Sequence, residues 1–133
     1  MREIKYIVVH CTATVSTATP SAIQQYWRNT LGWKNPGYHV LIDANGELYR
    51  LLSDAEIGNG VRGYNHNSLH VSYIGGLHDK DTRTAAQKEA IRQVVQEWKK
   101  KYPAAEVSGH RDFPGVQKTC PCFDAQKEYA EVG

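Results

Sequence analysis

The stretch IKYIVVH, residues 4–10, decides how this chain folds, because it predicts a compact apolar strand that opens the domain and ends at a histidine. Its apolar run, 7–9, is far shorter than the roughly 18 residues of a membrane span. No small-residue cleavage site follows it, so the stretch does not resemble a signal peptide. We therefore interpret it as the first strand of a sheet, and we expect neither a membrane segment nor a signal peptide.

Working outward from this strand, helix and strand patterns alternate. The first predicted helix begins at Thr19-Pro20 and ends at Gly32, and it is followed by strands at 38–42 and 47–52 joined through Asn45-Gly46. A Gly- and Asn-rich loop at 53–67 then leads to a strand at 69–74. The last predicted elements are a helix that begins at Thr84 and ends before Pro103, a short strand at 106–108 and a final helix capped by Asp124. This order predicts an α/β fold with a central mixed β-sheet flanked by helices, in a single domain of residues 1–133. In such sheets ligands gather at strand ends, where His10 lies.

Composition excludes several classes of partner. The chain has 133 residues, a formal charge of +2 and 23% charged residues, which is ordinary for a globular protein. It has no dense basic run of the kind that nucleic-acid binding requires. We expect a monomer with no nucleic-acid partner and no membrane contact.

Metal-ligand residue types occur near both ends of the chain. Three cysteines cannot all pair, and this odd number favours metal or thiol chemistry over a disulfide scaffold. His10 ends a strand, and the segment HRDFPGVQKTCPC, residues 110–122, supplies His110 and Cys120 in one loop. Two imidazoles and one thiolate suit a catalytic zinc, which takes three protein ligands and leaves one position for water.

The alternative is a closed structural zinc site that adds Cys11 or Cys122. Cys11 follows His10 directly, and neighbours on a strand point to opposite faces, so the two cannot easily reach one ion. Cys122 is harder to exclude. Paired C-x-x-C motifs, usual in small structural sites, do not occur.

Five blocks of sequence, in one order along the chain, carry a resemblance to a known family. They are VVHCTAT (8–14), GYHVLI (37–42), RGYNHNS (62–68), GHRD (109–112) and KTCPCFD (118–124). Together they resemble the zinc-dependent N-acetylmuramoyl-L-alanine amidases of type 2, a family that includes small phage amidases and is related to the peptidoglycan recognition proteins.

The resemblance implies one catalytic zinc ion held by His10, His110 and Cys120, with Tyr38 and Lys118 as catalytic residues. It implies hydrolysis of the amide between N-acetylmuramic acid and L-alanine in peptidoglycan or muropeptides by a cell-wall lytic enzyme. The step from His110 to the third ligand is longer than in the phage enzymes and resembles the branch that recycles muropeptides.

The side chains of the two catalytic residues, Tyr38 and Lys118, indicate what each can contribute. The Lys118 ammonium is expected to stabilise the oxyanion, a contact that strengthens as charge develops. Tyr38, a phenol with an ordinary pKa of about 10, suits orientation or polarisation better than base catalysis.

Polar residues on the loops are candidates for contacting sugar or peptide. They are Thr12, Tyr64, Asn65, His66 and Asn67. His70 departs from the family pattern, which has glycine there, and its side chain is expected to narrow or re-line the cleft.

Two other functions stay open from the sequence. A module that binds peptidoglycan without cleaving it is the main alternative, although the full set of presumed ligands favours an enzyme. A regulator of a protein partner is less favoured, because only nine residues precede His10. We expect a cytoplasmic protein, or one released to the cell wall during lysis. A phage or prophage endolysin, a recycling enzyme and a secreted enzyme all fit.

Overall fold

A five-stranded mixed sheet forms the centre of the chain in the computed structural model, which describes residues 2–132. The strands are β1 Tyr6–Cys11, β2 Val40–Ile42, β3 Leu48–Arg50, β4 Ser68–Tyr73 and β5 Glu106–Gly109. Their order across the sheet is β3-β2-β4-β1-β5. The hairpin pair β2 and β3 is antiparallel, and the other neighbours are parallel. The predicted α/β fold with a central mixed sheet is confirmed.

Within the described residues, three α-helices flank this sheet: α1 Pro20–Gln25, α2 Ala85–Lys101 and α3 Ala125–Glu128. No helix among residues 2–132 combines the length and the apolar character that crossing a membrane requires. The predicted strands of the hairpin are two residues too long for β2 and three residues too long for β3, and β1 continues past His10 to Cys11. The final helix begins after Asp124 as predicted but ends at Glu128.

The first helix is shorter than predicted. Thr19 caps it by accepting a hydrogen bond from the Ala22 backbone amide, but the α-helix gives way to a π-helical turn at Tyr26–Thr30. The Leu31 amide donates to the Tyr26 carbonyl oxygen, five residues back, at 3.1 Å. Such wide turns are common at functional sites, and this one borders the cleft described below.

The second helix covers one face of the sheet. It begins after Thr84 as predicted, and a capping box stabilises this start: Thr84 and Gln87 exchange side-chain to backbone hydrogen bonds at 2.9 and 3.1 Å. Its buried stripe, which includes Ile91, Val95 and Trp98, packs in one core cluster with the sheet residues Ile7 and Val9. This face is the main apolar core.

The opposite face of the sheet carries the candidate site. Because side chains alternate along a strand, Val8 and His10 point away from the face that holds Ile7 and Val9. On this second face Leu41 packs with Ile23 and Trp27 of the first helical segment. The same alternation separates His10 from Cys11, which packs in the main core.

Candidate metal centre

Three potential metal ligands converge at one edge of the sheet. They are His10 near the end of β1, His110 in the single turn that follows β5, and Cys120 in the next loop. Their ligand atoms all lie within 4.8 Å of one another, and they form the one such group among residues 2–132. His10 is fully buried, Cys120 is buried, and His110 is partly exposed. The fold thus joins ligand residues from both ends of the chain.

The spacing and chemistry of these donors fit zinc. Nδ1 of His10 lies 3.9 Å from Sγ of Cys120. Ligands of a tetrahedral zinc ion, at about 2.0–2.3 Å from the metal, lie about 3.3–3.8 Å apart, so small shifts would close the site. The Cys11 backbone amide donates to the Cys120 sulfur at 3.1 Å. This hydrogen bond holds the sulfur in place beside His10.

The other two cysteines form a separate pair. Sγ of Cys11 lies 3.8 Å from Sγ of Cys122, which also lies 3.8 Å from the Gly76 carbonyl oxygen. Neither thiol belongs to the convergent group. The geometry therefore favours an open site with three protein ligands over a closed site that includes Cys11 or Cys122.

Both histidines of the group are held neutral. Burial lowers the pKa of His10 well below its ordinary value, and the neighbouring His70 and His110 lower it further. Burial, and then the Lys118 ammonium, lower the pKa of His110 to about 4. Each ring therefore keeps a lone pair at neutral pH, as metal binding requires.

Tyr38 lies directly beside this group. Its ring centroid is 4.6 Å from that of His10, and its hydroxyl donates to the Cys11 carbonyl oxygen at 3.4 Å. Burial raises the pKa of the Tyr38 hydroxyl, and the neighbouring Cys120 and Cys11 raise it further. A phenol that stays protonated can donate a hydrogen bond but is a poor base, so the structure favours an orienting role.

A cleft of about 870 Å³ opens over the group. His110 and Cys120 line it, together with Tyr38 and the exposed Lys118. One wall is apolar and comes from the first helical segment: Ile23, Tyr26, Trp27 and Leu31. The cleft thus combines a metal-ligand group, a cation and an apolar surface, and an apolar lining with a few polar groups is typical of ligand-binding clefts.

The polar loop residues predicted to contact substrate are placed differently from one another. Thr12 lines the cleft, whereas Tyr64, Asn65, His66 and Asn67 are not among the lining residues. Tyr64 packs against Phe113 with ring centroids 4.8 Å apart, and the Asn65 carboxamide oxygen accepts the Val61 amide at 2.8 Å. The predicted substrate contact of these four residues stays a prediction.

Sequence reasoning missed two features of the cleft. Arg62 lines it, although the only signal was its place at the start of the RGYNHNS block. The apolar wall is the second feature, because its residue types are those of an ordinary buried helix stripe. Ile23 and Trp27 are indeed buried, but Tyr26 and Leu31 are 53% and 42% exposed.

The chain is similar to several known proteins over most of its length. A family model described as N-acetylmuramoyl-L-alanine amidase matches residues 1–123. The endolysin of Klebsiella phage KP32 is 32% identical over 131 residues, which cover 95% of this chain and 85% of that protein. The solved Ph2119 endolysin from a Thermus scotoductus bacteriophage is 28% identical, with a TM-score of 0.85 over 100% of this chain and 86% of its own.

A further solved structure shares the fold alone. It is the N-acetylmuramoyl-L-alanine amidase LysC from Clostridium intestinale, which is 23% identical, with a TM-score of 0.82 over 98% of this chain and 86% of its own.

The chain therefore belongs to the N-acetylmuramoyl-L-alanine amidase family. It is a hydrolase that cleaves peptidoglycan as a lytic amidase, as the sequence predicted. The alternative of a module that binds without cleaving is less favoured.

Proposed function

We propose that the chain hydrolyses the amide between N-acetylmuramic acid and L-alanine with one zinc ion held by His10, His110 and Cys120. The observation that carries this proposal is the convergence of the three ligand atoms within 4.8 Å beside the cleft. When bound, zinc would supply a Lewis acid that polarises the scissile carbonyl and makes a water molecule more acidic. With two neutral imidazoles and one thiolate, the protein neutralises only part of the charge of the ion.

Lys118 would stabilise the negative charge that develops on the carbonyl oxygen. Its side chain is exposed, lines the cleft and acts on the pKa of His110, which places its charge near the ligand group. Because the substrate carbonyl carries little charge before attack, an ammonium at this oxygen binds the transition state more strongly than the ground state. The contribution expected of Lys118 is therefore to kcat.

Tyr38 would orient the reacting groups. Its hydroxyl proton is retained, and its present acceptor, the Cys11 carbonyl oxygen, is 3.4 Å away, a long hydrogen bond that is easily exchanged for one to substrate. The phenol can donate to the amide being cleaved or hold the attacking water.

The cleft walls suit a muropeptide. The apolar side chains of Tyr26, Trp27 and Leu31 offer surfaces for sugar faces and methyl groups, and Thr12 offers a hydroxyl. The positive charge of Arg62 suits the carboxylates of a stem peptide. We propose these residues as the substrate-binding surface.

We further propose that residues 1–133 form one catalytic domain that acts on the cell wall after release. One continuous sheet with its helices runs through residues 2–132, which supports a single domain. The similarity to phage endolysins supports action at the wall.

The direct test is amide cleavage in purified peptidoglycan. Zinc-loaded protein should release L-alanine amino termini, a chelator should stop the release, and added zinc should restore it. If the zinc-loaded protein binds peptidoglycan but releases no amino termini, the binding module replaces the enzyme. If release continues in the metal-free protein, the zinc proposal is wrong.

A further inference from the structure

His70, a fully buried histidine, contacts His10 on the side away from the cleft, and the mechanism proposed above gives it no role. We propose that His70 is a positioning residue that fixes the tautomer and orientation of the His10 ring for metal binding. This inference rests on the proposed metal site, and its test separates failure of one from failure of the other.

Three side chains form a hydrogen-bonded row that leads away from the ligand group. Nε2 of His10 lies 2.9 Å from Nδ1 of His70, and Nε2 of His70 lies 2.9 Å from Oδ1 of Asn65. His10 and His70 are both fully buried, so water does not compete for these bonds. The opposite nitrogen of His10, Nδ1, is the one that faces the Cys120 sulfur.

The far end of the row sets the direction of every hydrogen bond in it. The Val61 backbone amide donates to Oδ1 of Asn65 at 2.8 Å, so this atom is an acceptor. Nε2 of His70 must therefore carry the proton, which leaves Nδ1 of His70 as an acceptor. Nε2 of His10 then donates to it, and Nδ1 of His10 keeps its lone pair toward the ligand group.

The other tautomer of His10 would be incompatible with metal binding. A proton on Nδ1 would occupy the lone pair that the ion needs, and two unprotonated nitrogens would face each other across 2.9 Å. Partners of this kind fix the tautomer and ring orientation of metal-ligating histidines in many sites, and their loss typically costs 10–100-fold in metal affinity or activity.

The position of His70 is itself fixed. Its backbone amide donates to Nδ1 of His39 at 3.1 Å, and its carbonyl oxygen accepts the His39 amide at 3.0 Å. On the other side the ring packs against Gly60, where an added Cβ would lie only 2.3 Å from Nδ1 of His70. A residue with any side chain at Gly60 would displace the ring.

Three substitutions separate positioning from simple packing. In His70→Asn, Oδ1 can stand where Nδ1 of the imidazole stood, which retains the acceptor for His10 and loses the bond to Asn65. In His70→Gln, the longer side chain can reach Asn65 but places no acceptor at the Nδ1 position. His70→Leu removes both. The melting temperature of each metal-free variant is measured alongside its zinc affinity, determined by competition with a chelator of known affinity.

We expect His70→Gln and His70→Leu to bind zinc about 10–100-fold more weakly than the unsubstituted protein, and His70→Asn to bind close to it. A merely structural role predicts lower melting temperatures with zinc affinity unchanged in all three, and that result would overturn the proposal. Equal loss of affinity in the Asn and Gln variants would also overturn it. If the unsubstituted protein binds no zinc, the proposed metal site fails first.

A second measurement needs no variant. Nitrogen-15 NMR of the metal-free protein at neutral pH reports which nitrogen of each histidine carries the proton. We expect the proton on Nε2 in both His10 and His70. A proton on Nδ1 of His10 in the folded, metal-free protein would contradict the proposal even if none of the variants folds.

Discussion

His10 lies between two groups of polar side chains that differ in how their hydrogen-bonding atoms are used. On one side is the cleft cluster, defined as His10, His110 and Cys120, and on the other is the interior network, defined as His39, Asn65 and His70. In the interior network, both ring nitrogens of His39 and of His70 have hydrogen-bond partners at 2.8–3.1 Å. In the cleft cluster, ligand atoms face one another at distances of up to 4.8 Å, which suits a shared ion better than direct hydrogen bonds.

Burial alone therefore does not distinguish a reactive histidine from a supporting one. Burial lowers the pKa of His10 and of His70 alike, well below the ordinary histidine value. What differs is whether the lone pairs are already used. In the cleft cluster, the converging ligand atoms keep free lone pairs, and this is the side where we propose that chemistry occurs. In the interior network, the ring nitrogens are already hydrogen-bonded, and these residues hold the cleft cluster in place.

The largest expected effect is removal of the thiolate from the cleft cluster. Cys120→Ala should abolish amide cleavage and weaken zinc binding by more than the roughly 10–100-fold loss expected when only a supporting residue is removed. Zinc affinity and release of L-alanine amino termini from peptidoglycan measure the two effects.

Cys122→Ala is the matched control, since its thiol lies two residues away and outside the cluster. It should retain both zinc affinity and activity. Full activity in the Cys120 variant with loss in the Cys122 variant would transfer the ligand role to Cys122.

The next effect concerns the cation of the cleft. Lys118→Met should lower kcat about a hundredfold, because the oxyanion loses its charged partner. Zinc affinity should stay unchanged, and KM should change much less than kcat. Lys100→Met, at an exposed position on α2, is the control and should behave like the unsubstituted protein. A Lys118 variant that changes KM alone would make Lys118 a binding residue.

A smaller effect is expected from the phenol. Tyr38→Phe removes the hydroxyl and keeps the ring that lies 4.6 Å from His10. We expect kcat to fall by about 10–100-fold, which is at or below the smallest contribution of a general acid or base, because an orienting phenol transfers no proton. Steady-state kinetics on a soluble muropeptide measure it. If kcat is unchanged, the Tyr38 ring acts by packing alone.

The smallest expected effect is on stability, and it involves histidines of both the cleft cluster and the interior network. His10, His70 and His110 all have a pKa below the ordinary value in the folded, metal-free chain, and that of His110 is about 4. Below pH of about 6.5 the unfolded chain therefore binds more protons than the folded one. The free energy of unfolding should therefore keep its full value above this pH and should decrease as the pH falls toward 4.

Urea unfolding at a series of pH values, with a chelator present, measures this decrease. His70→Asn removes one of these titrating groups, so the decrease should be shallower in that variant. A free energy of unfolding that stays constant from pH 7 to pH 4.5 would show that these histidines take up protons in the folded state.

The sequence predicted the features that depend on local pattern. Alternation along β1 separated His10 from Cys11, and the helix start predicted at Thr84 lies within one residue of the observed start of α2. The clustering of His10 with His110 and Cys120 was predicted from ligand chemistry and from the family resemblance. Periodic pattern does not indicate it, because each residue lies at the end of an element or in a loop.

The remaining features depend on contacts between segments distant in sequence. The row from His10 through His70 to Asn65 joins β1, β4 and the turn before β4, and its direction is set by the Val61 backbone amide, which no side-chain pattern reveals. The apolar cleft wall has the same residue types as a buried helix stripe. Only the tertiary placement of Tyr26 and Leu31 shows that they face the cleft.

The central claim is that a single zinc ion is held by His10, His110 and Cys120. Anomalous diffraction from a zinc-loaded crystal, recorded on both sides of the zinc absorption edge, tests it directly. The account predicts one strong peak at about 2.0–2.1 Å from a nitrogen of each histidine and about 2.3 Å from the Cys120 sulfur. A peak bound by Cys11 and Cys122 instead, or no peak among these three residues in an active enzyme, would contradict it.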